Sequence, residues 1–124
     1  MTTTTNKSWR TICAAADLVK DSGISALLVN NADEASEQKV EEQIAIFHIP
    51  QSVEKIYAVG NYDPIGKANV LYRGIVGSID DEPVVASPLY KQHFSLKTGQ
   101  CLQEDQSISV YPIRIENEQV QVLY

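Results

Sequence analysis

The sequence predicts an all-β fold, an antiparallel sandwich or small barrel. Apolar residues come in short runs, turn residues punctuate those runs at close intervals, and helical periodicity is nearly absent. The chain has 124 residues. That is roughly one domain's worth, enough to bury about two-thirds of the surface its unfolded form exposes. Apolar residues make up 44% and charged residues 21%, ordinary globular usage that excludes a disordered, collagenous or coiled-coil chain.

The strands follow in order. A single domain is expected over residues 9–124, behind a disordered tail, 1–8, with its Thr run. Ile24–Val29 is a compact apolar run between Gly23 and Asn30-Asn31, and Ile44–Ile49 is stopped by Pro50. Lys55–Val59 alternates polar and apolar ahead of the turn signal Gly60-Asn61. Val84–Ala86 lies between Pro83 and Pro88. Ile108–Ile115 and Val120–Leu123 alternate with period two, and Glu116–Gln119 joins them as a hairpin. Pro112 lacks a ladder donor, so its strand should lie at an edge or bulge there.

Two stretches read otherwise. Cys13–Lys20 is expected to form a short helical turn, and Asp33–Gln43 either another such turn or a hairpin connection. Residues 30–43 are read as an acidic loop insertion: Asp33, Glu34, Glu37, Glu41 and Glu42 against Lys39 supply −4 of the chain's −6. Such a stretch is a solvated surface loop or an acidic recognition arm.

Function classes narrow by exclusion. Ten Lys and Arg against sixteen Asp and Glu leave no basic footprint for nucleic acid. No apolar run approaches the length of a membrane helix, and the N-terminus has no signal-peptide core, so a cytoplasmic location is expected. Gly60-Asn-Tyr-Asp-Pro-Ile-Gly66-Lys67 imitates a phosphate loop. Five residues separate its glycines where four are needed, and Ala68 stands where a magnesium-binding hydroxyl belongs.

His48 interrupts an apolar strand and is read as lying on its less buried face, and His93 as an exposed turn residue. With Cys13 and Cys101 as the only cysteines, a zinc site would need distant carboxylates, and each thiol is read as a small buried hydrophobe. Gly99, in the turn Lys97-Thr-Gly-Gln100, is expected at positive φ.

One segment carries a resemblance. Ala86-Ser-Pro-Leu-Tyr-Lys-Gln-His-Phe-Ser-Leu-Lys-Thr-Gly-Gln-Cys101 resembles the second cluster-binding box of Rieske iron–sulfur proteins, which runs Cys-Pro-x-His-Gly, then Phe, then a Thr-Gly turn. Pro88, Phe94, Leu96, Thr98 and Gly99 match, but Ser87 replaces the cysteine and Tyr90 the histidine. Tyr57-Ala-Val-Gly-Asn-Tyr-Asp-Pro-Ile65 is similar to the first box, with Asp63 at the cysteine position and Ile65 at the histidine position. All four ligand positions of a Cys₂His₂ [2Fe–2S] site have therefore changed.

A Rieske-like fold without these ligands resembles the small subunit of NAD(P)H-dependent nitrite reductase. The residues that carry the likeness are Asn61-Tyr-Asp-Pro64, Val70-Leu-Tyr-Arg-Gly-Ile75 and Val85–Phe94. The resemblance implies a non-catalytic partner of a large subunit that holds FAD, a [4Fe–4S] cluster and sirohaem and reduces nitrite to ammonium. It also implies that both boxes meet at one end of the domain. There Ile65, Leu89 and Tyr90 would form an apolar anchor, rimmed by Lys67, Lys91 and His93, for docking on the large subunit. Two other readings stay open: a Rieske-type electron-transfer ferredoxin, and a free-standing β-domain that binds another oxidoreductase.

Overall fold

The computed structural model describes residues 7–31 and 39–124. The Thr run and the acidic residues Asp33, Glu34 and Glu37 lie outside them.

Twelve strands are described: β1 (Trp9–Ala14), β2 (Ser22–Asn31), β3 (Lys39–His48), β4 (Ile56–Gly60), β5 (Tyr62–Asp63), β6 (Ala68–Asn69), β7 (Ile75–Ile79), β8 (Glu82–Ala86), β9 (His93–Ser95), β10 (Val110–Tyr111), β11 (Ile113–Glu116) and β12 (Gln119–Leu123). They form four antiparallel sheets, in the orders β1-β12-β11, β10-β4-β3-β2, β5-β6 and β7-β8-β9. Only two 3₁₀ turns, Ala15–Asp17 and Leu71–Arg73, interrupt them among the described residues. The first falls inside the helical turn expected at Cys13–Lys20, whose first two residues belong to β1 instead.

The sheet β10-β4-β3-β2 is the centre of the molecule because both its faces are buried. Ile44, Ile46, Ile56 and Ala58 pack with Val120 and Val122 of the first sheet. Their neighbours Ala45, Phe47, Tyr57 and Val59 point the opposite way, onto Leu71, Val85, Phe94, Leu96 and Cys101. Strand alternation sends adjacent side chains to opposite faces, so a strand covered on both sides reads as an unbroken apolar run. This corrects the alternation expected for Lys55–Val59: Ile56–Gly60 is buried at every position. Fully burying Phe47 and Phe94 contributes about 1.5–3 kcal/mol each.

Pro112 lies at sheet edges, as expected, between two strands that are each the outermost of their sheet. It divides the expected Ile108–Ile115 strand in two: β10 pairs with β4 in the central sheet, and β11 pairs with β12 in the first. A residue that cannot donate to a ladder sits where the chain leaves one ladder for another. The β11–β12 hairpin closes as expected, with Asn117 and Glu118 at φ 51° and 64°.

Two boundaries shift. Ser8 and Tyr124 exchange backbone hydrogen bonds of 3.1 and 3.2 Å, so pairing begins inside the expected 1–8 tail. β2 and β3 pair from Ser22↔His48 to Asn31↔Lys39, so Asn30, Asn31 and residues 39–43 are ladder, not the loop expected over 30–43. The antiparallel pairing of β2 with β3 makes Glu41 and Glu42 strand residues, and the rest of the expected turn or hairpin connection, 33–38, lies outside the described residues.

Candidate functional site

The two loops singled out by the resemblance meet through one hydrogen bond. Asp63 ends β5, and its Oδ1 accepts the N–H groups of Ile65 (2.8 Å) and Gly66 (3.0 Å), while its carbonyl accepts that of Lys67 (2.7 Å). Pro64, between them, has no donor to strand, so every amide of the tight turn is used. Ser87 follows β8, and its Oγ accepts the N–H of Leu89 at 3.2 Å. Lys91 N–H closes the loop onto the Ser87 carbonyl (3.1 Å), and Ser87 N–H donates to Gln92 O (2.9 Å). The Ser87 hydroxyl donates to Asp63 Oδ2 at 2.5 Å.

Both residues are fully buried. A buried carboxylate is tolerated when its lone pairs are filled, and here three donors fill them. Glycine at 66 leaves room for the contact, because a Cβ there would press on the Leu89 side chain and approach Asp63 Oδ2 to 2.9 Å.

A residue that the sequence offers only as a turn signal and as part of the likeness holds the base of the first loop. Asn61, fully buried, receives Tyr72 N–H on its Oδ1 (2.8 Å) and donates from Nδ2 to Asn69 O (3.2 Å) and Gln43 Oε1 (3.3 Å). Beside Gly60 it reads as a turn residue, and only its burial distinguishes a staple from a turn.

The remaining expected residues separate. Leu89 and Tyr90 are 44% and 65% exposed, and Lys67 and Lys91 are exposed at φ 58° and 64°. Ile65 is half-buried against the Phe47–Phe94 core, so it belongs more to the packing beneath the loops than to their surface. His93 is not an exposed turn residue. It starts β9, is half-buried, and its Nδ1 lies 3.2 Å from Gln103 Nε2. His48 is half-buried, with an enclosed Nδ1 that has no partner among the described residues.

The cysteines lie elsewhere and unpaired. Cys101 is core, and Cys13 is half-buried, its thiol pushed up first by burial and then by nearby Asp17. A cleft of about 290 Å³ beside Glu54, Tyr57, Lys97, Tyr111 and Pro112 contains none of the residues of the two boxes that replace cluster ligands.

The donor set does not fit a [2Fe–2S] cluster. That group takes two thiolates and two neutral imidazole nitrogens. The Asp63 and Ser87 oxygens are hard donors already spent on each other and on turn amides. Ile65 has no lone pair, and Tyr90 offers a phenol in place of an imidazole. Among the described residues no three His, Cys, Asp or Glu gather as a metal site.

Residues 8–123 match the Rieske-like [2Fe–2S] domain family. The nitrite reductase (NADH) small subunit of Escherichia coli K12 is 35% identical over 92% of this chain and 95% of its own length. A segment of the nitrite reductase [NAD(P)H] large subunit of Klebsiella oxytoca is 36% identical over 94% of this chain, which spans 11% of that longer polypeptide. The NMR structure of the E. coli protein NirD superposes with a TM-score of 0.77 at 34% identity, covering 96% of this chain and 98% of that one.

Proposed function

This chain belongs to the Rieske-like [2Fe–2S] domain family and, within it, to the nitrite reductase (NADH) small subunits, and from that premise we propose that it serves as a non-catalytic partner of the large subunit. The observation that carries this reading is the Asp63–Ser87 hydrogen bond. The two loops keep their closed form while the atoms that would face a cluster bind each other instead.

The redox groups then belong to the large subunit: FAD, a [4Fe–4S] cluster and sirohaem, which together would take nitrite to ammonium. The Klebsiella oxytoca large subunit carries a segment like this chain within one polypeptide, which supports a lasting association between small and large subunits. A cytoplasmic location accords with two unpaired cysteines, since reducing compartments keep thiols free. No helix among the described residues is long and apolar enough to cross a membrane.

The docking surface in this reading is the tip of the two loops. Leu89 and Tyr90 supply the apolar anchor, Ile65 seats it from below, and Lys67, Lys91 and His93 form the rim. Tyrosine suits an anchor because a large apolar ring carries a polar end. Titration of folded variants against the isolated large subunit tests this. Tyr90→Ala is expected to weaken binding by roughly 1–2 kcal/mol or more. Lys91→Glu is expected chiefly to slow association, most at low salt. Wild-type affinity in both variants would move the interface elsewhere. Stoichiometric iron with acid-labile sulfide in the purified chain would overturn the non-catalytic reading itself.

A further inference from the structure

The outer edge of β7 is open. β7 pairs only with β8, and no strand among the described residues covers its other side. The β7–β8 turn, Asp80-Asp81, has φ of 50° and 67°, the signature of a two-residue type I′ hairpin. Such a turn makes Ile79↔Glu82 the closing hydrogen-bonded pair, and alternation makes Gly77↔Val84 and Ile75↔Ala86 hydrogen-bonded too. Ser78 then faces Pro83 in a pair that needs no N–H from the proline. It follows that Val76 and Ser78 turn their backbone N–H and C=O groups outward.

The strand itself carries no protection. Ile75-Val-Gly-Ser-Ile79 has no charge, no proline and no register shift, the devices that usually keep a free edge from pairing. Ile75 is 76% exposed and Ile79 37%, both on the face they share with Gly77, where a Cβ would meet nothing within 4 Å.

The geometry points to a second copy of this chain as the occupant, joined antiparallel through β7 about a two-fold axis at Gly77. In that register Val76 faces Ser78 of the second copy and Ser78 faces its Val76, so every outward backbone group of the strand finds a partner. Ile75 comes beside Ile79 of the second copy, burying the two exposed side chains together. Arg73 precedes the strand and Asp80-Asp81 follow it, all exposed, so the same axis sets each cation against the other copy's anions. The contact is short compared with a standard interface, so the pairing is weak and concentration-dependent.

A cysteine at the axis tests the register. A non-hydrogen-bonded antiparallel pair brings its Cα atoms to about 4.5 Å, within disulfide range. Gly77→Cys is therefore expected to form a disulfide-linked dimer on mild oxidation. It should do so on the order of tenfold faster than Val53→Cys, a control at a 92% exposed site. Sedimentation of the wild-type chain should show a dimer at high concentration, and Ser78→Pro, which removes an outward donor at an edge, should abolish it. Crosslinking of Gly77→Cys no faster than of Val53→Cys would overturn the proposal. So would a wild-type chain that stays monomeric while Ser78→Pro loses affinity for the large subunit, an outcome that assigns the edge to that partner.

Discussion

Ser87 and Ser95 each open a turn, accept the amides that follow and donate to a carboxylate, yet they act at different ranges. Ser87 accepts Leu89 N–H and donates to Asp63, 24 residues away on a separate sheet. Ser95 accepts the N–H groups of Lys97 (3.2 Å) and Thr98 (3.1 Å) and donates to Glu82 at 2.5 Å, within the sheet β7-β8-β9. Both serines are buried, but Asp63 is fully enclosed and Glu82 only half so. Water can replace what Glu82 loses and cannot reach what Asp63 loses. The same chemistry thus holds two loops together in one place and trims a local turn in the other.

Breaking the enclosed pair should have the largest effect. Asp63→Ala leaves two amides and a hydroxyl without their acceptor, and a loss of about 3 kcal/mol or more is expected in a denaturant titration. Asp63→Asn sharpens the test. Its amide retains one oxygen for the turn and a donor for Ser87 Oγ, so most of the stability should remain. If Ala and Asn prove equally mild, the pair does not tie the loops.

Gly99 comes next, because it closes the turn that Ser95 opens, donating its N–H to Ser95 O at 2.8 Å. Its φ is +81°, as its place in the sequence predicts, and a Cβ would run into Ile108 O. Gly99→Val combines the left-handed penalty with that clash and should cost about 2–3 kcal/mol, read as a lowered Tm. An unchanged Tm would show that the turn relaxes freely.

The half-exposed pair should give the smallest loss. Glu82→Ala removes one hydrogen bond, the one from Ser95 Oγ, at a carboxylate that water still reaches, and about 1 kcal/mol is expected in the same denaturant titration. A loss equal to that of Asp63→Ala would erase the distinction drawn from burial.

Much of this molecule was legible in the order of its residues. The apolar runs of β2, β3 and β8, the β11–β12 hairpin and the conformation of Gly99 follow from local rules, because periodicity and turn chemistry act over a few neighbours. The unsuitability of the two boxes for a cluster was legible too, since a ligand position without thiolate or imidazole is a matter of residue identity alone. Other features depended on which segments come together. Ile56–Val59 had to be covered on both faces, Pro112 had to separate one sheet from another, and Asn61 had to be buried before it differed from a turn residue. β7 carried no strand signal strong enough to name, because its Gly and Ser fall on an edge that packing against β8 defines. The Asp63–Ser87 bond spans 24 residues, and no local pattern encodes a partner at that distance. Chain topology sets such pairings through the closure of long loops around a shared core, so tertiary structure alone decided them.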